Sequence, residues 1–407
     1  MSRFYAVKFF CIYCFLLAAF ELKAERLYSP TWGYALDLPE GFILEESTGN
    51  TDYLFRHSIA PVSLQILVFS PENFQNLQEI PEYVFSPLQA EHKDIPFLWR
   101  SKPAILSFAG FKSAAHGFSP EHFKEFSCWL LALELPAASG KKPAALALVA
   151  YTEKEKAAEC EPLIISALDT VFTDLHSYLE PGPVTTALYP PSEKKDIHYI
   201  FNNKRITFSI DSSDAEANKS VVEREFKLLT LYLNQNTVIE AWRRYYRIIF
   251  KDAWARIYPV SEAIRQTFYF LGNNTADGAD TASQVAKELL LFVQNFQYER
   301  DSAGSDFLNL PQALLEKKGD CDCRALLMAL MLKQMNIDSV LFVSYIKAHA
   351  LAGADCGGDG AYFSHNGKNY LLAETTAHNP LGKIADEMAD FTDWFTVDFY
   401  IDENAVK

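Results

Sequence analysis

Cys321, His349 and Glu374 are the residues of this chain whose types and order suit nucleophilic catalysis. A thiol attacks a carbonyl carbon as the thiolate, so it needs an acceptor for its proton, and an imidazole steadied by a carboxylate serves that purpose near neutral pH. Cys321 lies in LNLPQALLEKKGDCDCRALLMALML (Leu308–Leu332), where Gly319 and Asp320 turn the chain and strong helix formers follow at once. That spacing predicts a helix opening at Cys321, whose unpaired backbone N–H groups and dipole favour an anion there. An inert core cysteine has the same local signature, so the partners decide. Cys323, Cys356, His349 and Asp355 could instead be gathered round a metal, yet neither C-x-x-C nor H-x-x-x-H spacing is present, and no metal or cofactor is expected. Asp355, Gly357, Gly358 and Asp359 lack the full acidic spacing of a calcium loop and read as a strand connection.

The elements that must position these residues are legible around them. Ala325–Leu332 is apolar on every side, the pattern of a helix enclosed within a domain. DSVLFVSYI then reads as a strand, and His349 opens a second one, where Ala350, Ala352, Gly353 and Ala354 allow close backbone approach. In AYFSHNGKNYLLAETT, Asn366-Gly367 is a two-residue hairpin turn and Glu374 ends the last strand. If the strands of His349 and Glu374 pair antiparallel, the start of one meets the end of the other and the carboxylate reaches the imidazole. His365 beside the turn is expected to be exposed, and His378 to rim the pocket. Upstream, the helix SQVAKELLLFVQNFQY ends at Gln294 and Tyr298, followed by Asp301, Gly304 and Pro311.

Val293-Gln294-x-x-x-Tyr298, an acidic loop, Pro311, then Gly319-Asp320-Cys321 with Ala325 and a long apolar helix form the first half of a recognisable series. His349 followed by Ala-x-Ala-Gly, Tyr370, Glu374-Thr375-Thr376 and Gly382 complete it. The series resembles the bacterial transglutaminase-like (papain-like) cysteine hydrolases. The resemblance implies a transglutaminase-type domain over residues 276–407, in which a buried Cys-bearing helix packs on an antiparallel sheet. It implies Cys321 as nucleophile, His349 as base and then acid, and Glu374 as the orienting carboxylate, where Asp is more usual. It further implies Gln294 as a side-chain donor to the oxyanion, joined by the backbone N–H of Cys321. Cys323 stands where many relatives have Asp. A Cys321–Cys323 or Cys321–Cys356 bridge would silence the nucleophile in an oxidising compartment.

The remainder of the chain frames this domain. Arg3 and Lys8 precede the apolar run Phe9–Phe20, which has the length of a signal-peptide core; cleavage after Ala24 would export the protein to the periplasm or medium without a stable membrane span. Residues 25–178 read as strands with a closing helix, CEPLIISALDTVF. Their opening, Tyr34-x-Leu36-x-Leu38-Pro39-x-Gly41-Phe42, resembles the α/β sandwiches of the PsbP/Mog1 type, and with no catalytic constellation there a binding or positioning role is expected. Cys128 and Cys160 could form a disulfide there. Pro181, Pro183, Pro190 and Pro191 mark a linker over 179–196, and 197–275 read as a short strand and a helical connector. In EAWRRYYRIIFKDAWARI, Trp242, Tyr245, Tyr246, Ile249, Ala253 and Ile257 share an apolar face, with Arg243, Arg247 and Lys251 on a solvated one. A net charge of −15 argues against nucleic acid as partner. The expected class is therefore α+β, and the expected partner a protein or peptide, including peptidoglycan-derived peptides. A catalytically silent binding protein built on the same fold is the alternative.

Overall fold

The computed structural model describes residues 26–399 apart from 73, 75, 115–122, 138, 202, 272–277 and 301–304; the expected signal peptide, Asp301 and Gly304 lie outside the described residues. The chain is mixed α and β and divides into two units, one reaching to Tyr178 with Gly182–Leu188 added, the other holding Leu179–Pro181 and the chain from Tyr189. Among the described residues no helix is long and apolar enough to cross a membrane.

The first unit begins with the short pair β1 (Leu27–Ser29) and β2 (Tyr34–Leu36). It continues through β3 (Phe42–Thr48), β4 (Asp52–His57), β5 (Val62–Phe69), α1 (Glu79–Phe85), β6 (His92–Trp99), β7 (Lys102–Ala114), β8 (Phe123–Glu134) and β9 (Ala145–Glu153), and closes with α2 (Ala157–Asp169), α3 (Leu175–Tyr178) and α4 (Pro183–Leu188). Seven strands form one sheet in the order β3-β4-β5-β9-β8-β7-β6. Because strand side chains alternate between faces, Cys128, Leu130 and Ala132 point to one side and pack with Ile80, Val84 and Phe85 of α1. The helix α2 packs on β8 and β9 and shares no residue with that cluster. Cys128 and Cys160 are therefore on different sides of the sheet, and both thiols are free rather than bridged.

The second unit opens with a hairpin, β10 (Lys194–Phe201) and β11 (Lys204–Asp211), so α4 and the start of β10 occupy the Pro-rich stretch. Then come α5 (Asp214–Thr230), α6 (Val238–Leu271), α7 (Gly278–Gln294), β12 (Gln297–Tyr298), α8 (Leu310–Glu316), β13 (Lys318–Gly319) and α9 (Cys321–Gln334). The strands β14 (Ser339–Ser344), β15 (His349–Ala354), β16 (Tyr362–His365), β17 (Lys368–Ala373) and β18 (Phe395–Asp398) form an antiparallel sheet in the order β16-β17-β15-β14-β18. The sheet curls towards closure: His365 Nε2 at the end of β16 lies 3.3 Å from Asp398 Oδ2 at the end of β18. His365 is half-buried by that contact, not exposed as its turn position suggested.

Every residue from Ala325 to Leu332 is fully buried, as an all-apolar helix requires. Around it, α6 departs from the amphipathic pattern. Tyr245, Tyr246, Ile249, Ala253 and Ile257 are buried, but so is Lys251, and Arg243 is half-buried with its Nε donating to the Thr396 carbonyl of β18 at 3.0 Å. The basic side is thus partly packed against protein rather than fully solvated. Buried ionic contacts fix the neighbouring helices: Arg256 meets Asp214 at 2.6 Å and Asp252 at 3.1 Å. Asn218 donates to Asp252 at 2.7 Å and accepts from the Leu310 N–H at 3.1 Å, joining α5, α6 and the start of α8.

Candidate active site

His349 is the first residue of β15 and stands opposite Ser344 of β14. On its other side β15 pairs antiparallel with β17, Ala352 opposite Ala373 and Gly353 opposite Leu372. Continuing that register sets Glu374 opposite Leu351 and diagonal to His349 on the same face, a separation that long side chains span. His349 Nε2 lies 2.8 Å from Glu374 Oε2. The other carboxylate oxygen accepts from Thr376 N at 2.8 Å and Thr376 Oγ1 at 2.6 Å. Burial alone would raise the Glu374 pKa, but the contacts to His349 and Thr376 outweigh it and hold the group below its ordinary value. An ionised Glu374 can only accept, so Nε2 carries a proton and Nδ1 is left as the acceptor of the ring.

Cys321 is the first residue of α9, and Asp320 caps the helix by accepting from the Cys323 N–H at 2.9 Å. Cys321 is buried, 4% exposed. It donates to Asp322 Oδ1 at 3.1 Å, and the other oxygen of Asp322 accepts from Tyr246 Oη. Burial pushes the thiol pKa well up, and the negative charges of Asp322 and Asp320 push it further; the Ala350 N–H, next to His349, acts on the sulfur in the opposite sense. Burial and Asp322 likewise raise Asp320 to about 7. The helix-terminal position alone would ease ionisation, but here two adjacent carboxylates oppose the dipole. Among the described residues no hydrogen bond joins the thiol to the imidazole.

Gln294 ends α7 and is buried, yet both its N–H donors are already engaged. Its Nε2 lies 2.8 Å from the Glu374 carbonyl, 2.7 Å from that of Ala377 and 2.9 Å from that of Asn379. These contacts anchor the segment that follows β17. The amide holds the Glu374 backbone, which differs from the expected part as oxyanion donor. Arg324, overlooked in the sequence, does related work. Its guanidinium donates to the carbonyls of Gly319 at 2.9 Å, Thr375 at 3.2 Å and Phe296 at 2.7 Å. Those carbonyls belong to the segments bearing Cys321, Glu374 and the end of α7. The available signal was a charged residue heading a helix otherwise built for complete burial.

Cys321, Cys323 and Cys356 are all free, so neither bridge that would silence the thiol is formed. Cys323 is fully buried in α9. Among the described residues no group of three His, Cys, Asp or Glu side chains is arranged to hold a metal ion. His378 is exposed between two of the carbonyls that Gln294 binds.

No protein-family model matches the chain, and no curated protein matches it. Among solved structures it is similar to LpqN, involved in cell envelope biogenesis of Mycobacterium tuberculosis, at 8% identity over 36% of this chain and 88% of that one, with a TM-score of 0.26. It is also similar to a candidate protease from Parabacteroides distasonis, at 11% identity over 81% of this chain and 64% of that one, TM-score 0.21. A candidate cysteine protease from Cytophaga hutchinsonii matches at 14% identity over 77% of this chain and 94% of that one, TM-score 0.21. TM-scores this low leave the chemistry to be read from the residues of the site.

Proposed function

We propose that this protein is an exported thiol hydrolase or acyl transferase of the transglutaminase-like kind, acting on amide bonds of a protein or peptide, including peptides of the cell wall. The observation that carries the reading is the 2.8 Å contact between His349 and Glu374, made at the paired ends of β15 and β17, beside a cysteine that opens a buried helix. Nδ1 of His349 takes the proton of the Cys321 thiol, and the sulfur adds to the carbonyl carbon. The resulting oxyanion is met by the backbone N–H of Cys321 at the helix mouth. The imidazolium, stabilised by Glu374, returns the proton to the leaving amine as the C–N bond breaks. Water or a second amine then adds to the thioester, and the thiol is released. Gln294 and Arg324 are positioning residues, acting through Glu374 and the turn before Cys321.

A second reading is favoured by one observation: the thiol donates to Asp322, and its ionisation is opposed by burial and charge. On that reading the fold is kept as a silent recognition surface. The two are separated by trapping with a thiol-directed, amide-like peptide probe. The catalytic reading expects an adduct that is lost in Cys321→Ala and kept in Cys323→Ala. No adduct on Cys321 in reduced protein selects the silent reading.

A further inference from the structure

The short parallel pairing of β12 with β13 sets Tyr298 opposite Gly319, and the Glu299 N–H donates to the Gly319 carbonyl at 3.3 Å. The chain at Arg300 therefore runs beside Asp320 and Cys321. Arg300 is exposed, and its Nε donates to Tyr298 Oη at 3.0 Å. Its two terminal nitrogens meet no acceptor among the described residues. The Tyr298 ring is 51% exposed, with the Arg324 guanidinium 5.7 Å from its centroid. Three neighbouring carboxylates are already partnered. Glu299 meets Lys318 at 3.0 Å, Asp322 holds the thiol and Tyr246, and Asp320 holds the Cys323 N–H. Among the described residues, Arg300 presents near the thiol a planar fork of N–H donors, pre-oriented by a tyrosine, whose natural complement is a carboxylate bound through both oxygens.

We infer that Arg300, with the exposed Tyr298 ring beside it, forms a carboxylate-binding subsite, so that the substrate carries a free carboxylate close to its scissile carbonyl. This deepens the nucleophilic reading of Cys321 and rests on it. The subsite explains how a protein of net charge −15 still takes an anionic substrate: the recognition is local and bidentate, and the overall field is screened within about 8 Å at physiological ionic strength.

The test compares two alkylating agents of similar size at Cys321, iodoacetate and iodoacetamide, by site-resolved mass spectrometry of the full-length reduced protein. Removing a cation lowers the thiolate fraction for both reagents, so their rate ratio isolates recognition of the carboxylate. The iodoacetate-to-iodoacetamide ratio should fall about five- to tenfold in Arg300→Gln, and less in Arg300→Lys, which keeps charge without the fork. Raised salt should lower the wild-type ratio towards that of Arg300→Gln. An unchanged ratio in Arg300→Gln overturns the subsite and leaves the nucleophile standing. Failure of both reagents to modify Cys321 overturns the nucleophile, and the subsite with it.

Discussion

Asp322→Asn removes a carboxylate whose Oδ1 sits 3.1 Å from the Cys321 sulfur. At an effective dielectric near 20, a full unit charge at that distance disfavours the thiolate by about 5 kcal/mol. The real charge is divided over two oxygens, and Tyr246 donates to one of them. About half of the full figure, roughly two pKa units, is therefore the expected fall in the thiol pKa. Such a fall raises the thiolate fraction about a hundredfold at pH values well below the pKa, while the lower basicity of the sulfur reduces its intrinsic reactivity by about tenfold. Alkylation of Cys321 by iodoacetamide at about pH 8 should thus run about tenfold faster in Asp322→Asn. Tyr246→Phe removes the hydrogen bond that offsets part of the Asp322 charge and should slow the same reaction. Time courses resolved by residue, with circular dichroism to verify folding, measure both. An unchanged or slower rate in folded Asp322→Asn refutes the argument that Asp322 holds the thiol protonated.

Arg324→Met strands three buried carbonyls, those of Gly319, Thr375 and Phe296, and should lower the unfolding free energy by about 3 kcal/mol or more; a urea midpoint within error of wild type contradicts this. Glu374→Gln keeps an acceptor for Thr376 but removes the charge behind the imidazolium, so peptide-probe acylation should drop by about a hundredfold or more while the fold is retained. His57 accepts from the Ala60 N–H at 2.9 Å, and burial lowers its pKa from 6.5 to about 4. The unfolded chain therefore binds its proton first: the stability of the first unit is complete above about pH 6.5 and falls by about 3 kcal/mol as pH drops through about 4. His57→Gln should flatten that slope, and a variant with the wild-type slope would assign it to another group.

The parts of the site that local patterning specifies were legible before any coordinates. A cysteine between a Gly-Asp turn and an all-apolar run has to head an enclosed helix, and Asn366-Gly367 has to turn a hairpin; φ is positive at both residues. The pairing of the His349 and Glu374 strands was a condition of the sequence reading; β17, the second strand of the hairpin after β15, meets it by pairing with β15. Interactions made across long sequence distances were not legible. The basic side of α6 has an ordinary solvated spacing, but Arg243 reaches across to the Thr396 carbonyl of β18 and Lys251 is buried. Gln294 has the same sequence context whether it serves an oxyanion or three carbonyls, because those carbonyls come from a loop about eighty residues on. The Cys128–Cys160 pairing failed on alternation, since one thiol lies on the α1 side of the sheet and the other on α2. The strands β6 and β10 include segments with charged residues and little apolar alternation, His92-Lys93-Asp94 and Lys194-Lys195-Asp196, and their strand character is set by their pairing partners, whereas β11 is the short strand expected within 197–275.

The central claim is that His349, backed by Glu374, activates Cys321, and the rate of acylation of that one sulfur tests it most directly. Reduced protein is mixed with an activated peptide acyl donor, and the adduct is followed by intact mass and mapped to its residue. The account predicts an adduct on Cys321 whose formation slows by about a hundredfold or more in folded His349→Gln. Equal rates in the two proteins, or an adduct that maps to Cys323, would contradict it.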